Sequence, residues 1–183
     1  PKGRYFEALP HLAAALNNLP LLAKGLALMA EIKKAGIPVY KNVTGLTALA
    51  NPSERLDKVS FKAGNQHQEI TCTTLLTHQG VVPNVQLSRA LQLDHVWHQN
   101  QACWHPVKDE WCQSSHPDIY VAGDGSGITG AKGAAHTGRI AALKIAQSLA
   151  KISQRQLTKL AQSPTKKLAK ETCIRPFLDK LYY

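Results

Sequence analysis

Apolar residues recur at helical spacing over residues 5–16 and again from about 20 to 35, where Gly36 and Pro38 supply a stop. The period then changes. Ile37-Pro38-Val39-Tyr40 reads as the passage from helix to strand, and residues 43–50, 56–63 and 67–77 are strand-like runs parted by Asn51-Pro52-Ser53 and Gly64-Asn65. Gly-Asn between two such runs predicts a hairpin, so the three form an antiparallel meander. Further on, a strand ends at Gly80, and Pro83-Asn84 opens a short helix around residues 85–91. The run Ile119-Tyr120-Val121-Ala122 predicts a buried strand, stopped by Gly123-Asp124-Gly125-Ser126-Gly127 and followed by an Ala/Leu/Ile-rich helix. Helices alternating with strands and a meander give an α/β chain.

The strand, turn and helix around Gly123 carry the most chemistry. Glycines there tolerate unusual backbone angles and let a ligand approach the main chain closely. Unpaired N–H groups at the helix start, at Thr129, Gly130 and Ala131, would face a polar or anionic partner such as a flavin carbonyl or a pyrophosphate. Asp124 would accept hydrogen bonds from sugar hydroxyls at the carboxyl end of a strand. From spacing alone, a plain strand-to-helix connection fits the same residues equally well.

Val121-Ala122-Gly123-Asp124 followed by a small-residue helix resembles the second FAD-contacting motif of the two-dinucleotide-domain flavoproteins, the glutathione-reductase-like superfamily. The resemblance implies that Asp124 binds the flavin ribityl chain and that the helix start points at the ring. Gly80, Pro83 and Asn84 match a Gly-x-x-Pro-Asn motif, found where that superfamily's chain returns from the NAD-binding to the FAD domain. The pair, about 40 residues apart, is more specific than either motif. Three further segments extend the likeness, namely residues 8–12, Asp109-Glu110-Trp111 and Arg175-Pro176-Phe177-Leu178-Asp179. Together they resemble the FAD-containing subunits of opine oxidases, hydrogen cyanide synthase and related amino-acid or amine dehydrogenases.

That resemblance implies a three-layer FAD/NAD(P)-binding-like domain, present in part, with the antiparallel meander as an insert and a helical C-terminal segment. Residues 1–80 would be the latter part of an NAD(P)-binding-like domain, 81–150 the returning part of an FAD-binding domain, and 151–183 a basic helical segment. The amino-terminal FAD fingerprint that the family carries is absent, and the chain opens on Pro1, so it reads as a fragment of a longer protein. In the family, the Arg-Pro-Phe-Leu-Asp segment leads to cysteines that hold a [2Fe-2S] cluster, which would lie outside this chain. The implied cofactors are FAD and, in addition, NAD(P). The implied partners are another oxidoreductase subunit or a second copy, with a small amine or amino acid as substrate. The flavin supplies the redox chemistry, so no catalytic residue is assigned.

Composition narrows this further. The 183 residues are 44% hydrophobic, ordinary for a globular chain. No apolar run reaches the roughly 18 to 20 residues of a membrane span and no signal peptide is evident, so the expectation is a cytoplasmic protein. Cys72, Cys103, Cys112 and Cys173 include no Cys-x-x-Cys pair. His95, His98, Cys103, His105, Cys112 and His116 fit no standard zinc spacing; with Trp97, Trp104 and Trp111 among them, the segment reads as short strands, not a metal site.

Net charge is +10, and residues 140–183 carry nine basic against two acidic side chains. Because the basic residues fall between apolar positions at helical spacing, a solvated helix face explains them without a nucleic-acid partner. Three functions remain open: an FAD-binding electron-transfer subunit oxidising an opine, amino acid or amine; a stand-alone NAD(P)H-dependent flavoprotein reductase; and a non-enzymatic basic interaction module. Lys132 and Arg139 would either neutralise a reduced flavin or phosphate or simply face solvent.

Overall fold

A computed structural model describes residues 5–78 and 80–182. Gln79, inside the stretch that carries the Gly-x-x-Pro-Asn motif, and the chain termini lie outside the described residues. The chain divides into two compact units, one of residues 24–80 and one of residues 5–23 together with 81–182.

The first unit opens on the later part of helix α3 (Leu19–Lys34). Gly36, at φ +67°, ends it in a Schellman motif: its N–H donates to Lys33 O and that of Ile37 to Ile32 O. Residues 37–40 pair with no strand among the described residues. Strands β1 (Val43–Ala50), β2 (Leu56–Ala63) and β3 (Gln66–Thr71) then form an antiparallel sheet in sequence order. The central strand carries the core of the unit. Val59 and Phe61 alternate on its buried face, and the Tyr40 ring meets Phe61 edge-on at 5.0 Å. Gly64, at φ +61°, leads the two-residue turn between β2 and β3, as a type II′ hairpin requires. The third strand stops at Thr71, short of the 67–77 expected. Cys72 N–H finds Asp57 O, but β2 begins at Leu56, so residues beyond have no partner to pair with.

The second unit is mainly helical. Pro10 lacks an N–H, and the expected 5–16 helix is accordingly split into α1 (Tyr5–Ala8), a 3₁₀ turn (Leu9–His11) and α2 (Leu12–Leu16). Ala8 and Ala15, both fully buried, belong to helices that pack on α7 (Arg175–Tyr182). A short helix α4 (Gln86–Ala90) precedes the hairpin β4 (His95–His98) and β5 (Cys103–Pro106). One face of that hairpin carries Trp97 edge-on to Trp104, with the Arg89 guanidinium 5.1 Å over the Trp104 ring. On the other, His98 stacks on His105 at 4.7 Å.

Helices α5 (Gly130–Ser148) and α6 (Gln154–Thr172) form a helical hairpin. Ser153 and Gln156 make a reciprocal capping box at the start of α6. Leu157, Ala161 and Pro164 are its buried stripe, and Gly133, Thr137, Ile140 and Ala141 that of α5. Arg155, Lys159, Lys166 and Lys170 are exposed and fall within about 60° of one another, opposite the buried stripe of α6. The basic segment is therefore an amphipathic helix with a solvated cationic ridge. Among the described residues no single helix is long and apolar enough to cross a membrane.

Residues 119–122 do not form the expected strand. Tyr120 makes one isolated bridge to Gln113, and Val121 N–H donates to Cys112 O. The segment beside it, residues 112–114, is antiparallel and only three residues long, with Ser114 N–H donating to Ile119 O as well, so the pairing stays a single bridge and not a ladder.

Replacing Leu157, which is fully buried, by Ala is expected to lower the stability of the gene product's second unit by about 2 to 5 kcal/mol. Lys159→Ala on the ridge is expected to change it by no more than about 0.5 kcal/mol. Urea midpoints measure both.

Candidate functional site

The chain from Val121 to Ala131 wraps the start of α5. Three glycines permit the path, with φ of +75° at Gly123, +130° at Gly127 and +77° at Gly130. Between the first two runs a 3₁₀ turn, Gly123–Ser126.

Side chains fix the turn at four points. Asp124 Oδ1 accepts the N–H groups of Thr129 (3.0 Å) and Gly130 (3.1 Å), and so caps α5 from outside the helix. Gly123 N–H donates to Thr137 Oγ1 at 2.9 Å, and that hydroxyl donates to Ala134 O. Ser126 Oγ donates to Gly123 O at 2.8 Å and accepts from Lys108 Nζ at 2.9 Å. Finally, the His105 ring lies under Gly127, where an added Cβ would stand 3.2 Å from ring atoms.

The residues singled out by sequence fall into three groups. Gly123, Asp124, Gly125, Thr129, Gly130 and Ala131 form this one turn. Asn84 joins them: its carbonyl oxygen lies 3.7 Å from the Cβ position of Gly125, while its side chain accepts Gln86 N–H to open α4. Pro83, next to it, is buried. Gly80, at φ +101°, belongs to the first unit. Lys132 and Arg139 are exposed. Thr137 and Lys108 escaped sequence reading, while Ser126 was read only as part of the turn and His105 only as part of a rejected metal cluster. Only Thr137 left a signal, as the polar member of the otherwise apolar or small stripe 133, 137, 140, 141.

The turn leaves specific groups uncommitted. An α-helix begins with four unpaired amides; Asp124 takes those of Thr129 and Gly130, which leaves Ala131 and Lys132. Asp124 Oδ2 accepts no hydrogen bond among the described residues, and the buried Thr129 hydroxyl is without a partner there. Two donors and a carboxylate oxygen thus surround a backbone that Gly125 keeps bare. This suits a ligand bearing both hydroxyls and an electron-rich carbonyl or phosphate.

The neighbouring thiol and imidazole do not make a nucleophilic pair. Cys103 Sγ sits 3.5 Å from His105 Nε2, but burial and then Asp179 push the thiol up, while burial, His98 and Lys108 push the imidazole down. Both shifts favour the neutral forms. Burial likewise raises the Cys112 thiol. Among the described residues there is no group of three or more His, Cys, Asp or Glu that could hold a metal ion.

The chain is similar to known proteins over most of its length. Residues 19–152 match the family described as pyridine nucleotide-disulphide oxidoreductase. An opine oxidase subunit of Rhizobium meliloti is 35% identical over 177 residues, which cover 96% of this chain and 33% of that protein. The corresponding opine oxidase subunit of Agrobacterium tumefaciens (strain Ach5) is 31% identical over 163 residues, covering 89% and 32%. The HcnB subunit of hydrogen cyanide synthase from Pseudomonas protegens is 29% identical over 177 residues, covering 91% and 37%. The chain spans about a third of the length of the relatives it matches.

The depressed basicity of His105 makes stability depend on pH. Unfolded, the ring takes up a proton near the ordinary value of 6.5; folded, it resists. Its contribution is complete above that value and is lost as pH falls toward the folded one. The thermal midpoint of the gene product is expected to drop between pH 7 and 5, and His105→Gln is expected to flatten the drop; an unchanged slope would rule His105 out. Gly127→Ala, strained at φ +130° and crowded by the ring, is expected to cost about 1 to 3 kcal/mol in urea unfolding.

Proposed function

The chain belongs to the pyridine nucleotide-disulphide oxidoreductase family, and from that premise we propose that it is the FAD-contacting part of an oxidoreductase subunit whose substrate is an opine, amino acid or amine. The observation that carries the reading is the Asp124 turn. One carboxylate oxygen fixes the start of α5, while the other oxygen and the Ala131 and Lys132 amides stay open to a ligand. The names of the relatives support an oxidase subunit working beside partner subunits.

On this reading residues 81–150 are the returning part of an FAD domain, and residues 1–80 the latter part of an NAD(P)-type domain within a three-layer fold. The division of the chain after Gly80 supports a boundary there, whereas residues 5–23 fall in the second unit with residues 81–182. FAD, when bound, supplies the hydride acceptor. This chain's groups bind and orient it. Asp124 Oδ2 would accept hydrogen bonds from ribityl hydroxyls, Gly125 would admit the cofactor close to the backbone, and the Ala131 and Lys132 amides at the positive end of α5 would offer donors to its electron-rich atoms. Thr137 and Ser126 hold Gly123 from behind, so the turn is set before the cofactor arrives.

An absorption spectrum of the complete gene product tests this. A flavin band is expected, bleached anaerobically by an opine, amino acid or amine. Bleaching by NADH without partner subunits would instead mark a stand-alone reductase. A colourless protein that takes up no added FAD would end the flavin reading. Asp124→Ala removes charge-assisted bonds worth about 1.5 to 3 kcal/mol each, so FAD retention is expected to weaken by about ten- to a hundredfold.

A further inference from the structure

Lys108 is the cation that the structure brings to the turn. It is half-buried, and its ammonium donates to Ser126 Oγ at 2.9 Å, which donates in turn to Gly123 O at 2.8 Å. Two hydrogen bonds thus tie a full positive charge to the first residue of the Gly-Asp-Gly segment. No carboxylate pairs with it among the described residues. Its neighbour Asp109 spends its side chain on the Trp111 and Gln113 amides. Asp124, the negative group in the turn itself, is set against the positive end of α5. Lys132 and Arg139, by contrast, are exposed to solvent, where water screens them.

We propose that Lys108 is a positioning and electrostatic residue for the redox step, holding a positive charge without a salt-bridge partner behind the turn so that the reduced, anionic cofactor is favoured over the oxidised one. This rests on the proposed placement of FAD at the turn. In that reaction an amine or amino acid loses a hydride from carbon and becomes an iminium. The electron pair and the proton of that hydride end on the flavin ring, which gains one negative charge. By Coulomb's law a unit charge on the order of 10 Å from a developing charge, at an effective dielectric of about 20, shifts an equilibrium by about tenfold or somewhat more, which sets the scale of the effect. Ser126 serves as the anchor that keeps the ammonium at the turn.

The test is the flavin midpoint potential of the complete gene product, measured by equilibration with reference dyes, for wild type, Lys108→Met, Lys108→Arg and Ser126→Ala. Lys108→Met is expected to favour the oxidised form about tenfold, a fall of about 30 mV for a two-electron couple. Lys108→Arg is expected to restore most of the shift, because charge and not shape carries the effect. Ser126→Ala keeps the charge but frees it, and is expected to move the potential the same way by less, which covers the case of a Met variant that does not fold. Flavin-loaded variants with wild-type potentials would overturn the role of Lys108 and leave the flavin reading standing. A wild-type protein that takes up no FAD would overturn both.

Discussion

Asp124 Oδ1 accepts two amides, and the geometry of the candidate site follows from that choice. A carboxylate placed at the positive end of a helix satisfies donors that would otherwise stay open and fixes the angle at which the chain enters α5. The chain can reach this position only through left-handed backbone at Gly123, Gly127 and Gly130. At two of these another group also comes close: Ala134 beside Gly123, the His105 ring beside Gly127. The turn is therefore not a flexible glycine loop. It is a rigid shape that glycine makes accessible and that side chains on either side hold in place.

Those supporting side chains arrive from two directions. Thr137 comes from the buried stripe of α5 and receives the Gly123 amide. Lys108 and His105 come from β5 and the residue run just after it. The β4–β5 hairpin thus works as a wedge beneath the turn, with its tryptophan face turned the other way. Stacked His98 and His105 suit that wedge only when His105 is neutral, because Lys108 and Arg175 add positive charge nearby. Protonation would place a third cation in the same half-buried space, with Asp179 as the one opposing charge that favours it.

What could be read from sequence was what is local. Gly36 as a helix stop, Gly64-Asn65 as a hairpin and the meander of residues 43–71 follow from periodicity and turn chemistry within a few residues. The Gly123-Asp124 turn was legible for the same reason. The strand assigned to residues 119–122 was not, because four apolar residues record hydrophobicity and not the length of the segment that will pair with them, here only residues 112–114. Lys108 and Ser126 are 18 residues apart and Gly123 and Thr137 are 14 apart, so their contacts are products of the fold. A lysine in Pro-Val-Lys-Asp carries no mark that it will reach a turn beyond it.

The same distinction separates the charges that matter. Counting places most of the +10 in the last 44 residues, and the fold disposes of much of it as a ridge on α6 facing away from the helix's buried stripe. Charges there are separated by water and salt from anything on the opposite face. Arg175 is spent on the buried Asp179 carboxylate at 2.9 Å, and Lys180 lies 3.6 Å from Glu7. Lys108 is different in kind: half-buried, without a carboxylate partner among the described residues, and bonded into the turn. Coulomb interactions weaken with distance and with dielectric, so a half-buried lysine bonded to the turn acts on that turn more strongly than an equal charge held in solvent farther away. A large net charge at one end of a sequence is therefore a poor guide to where electrostatics act on chemistry, and one hydrogen bond from an ammonium to a buried hydroxyl is a better one.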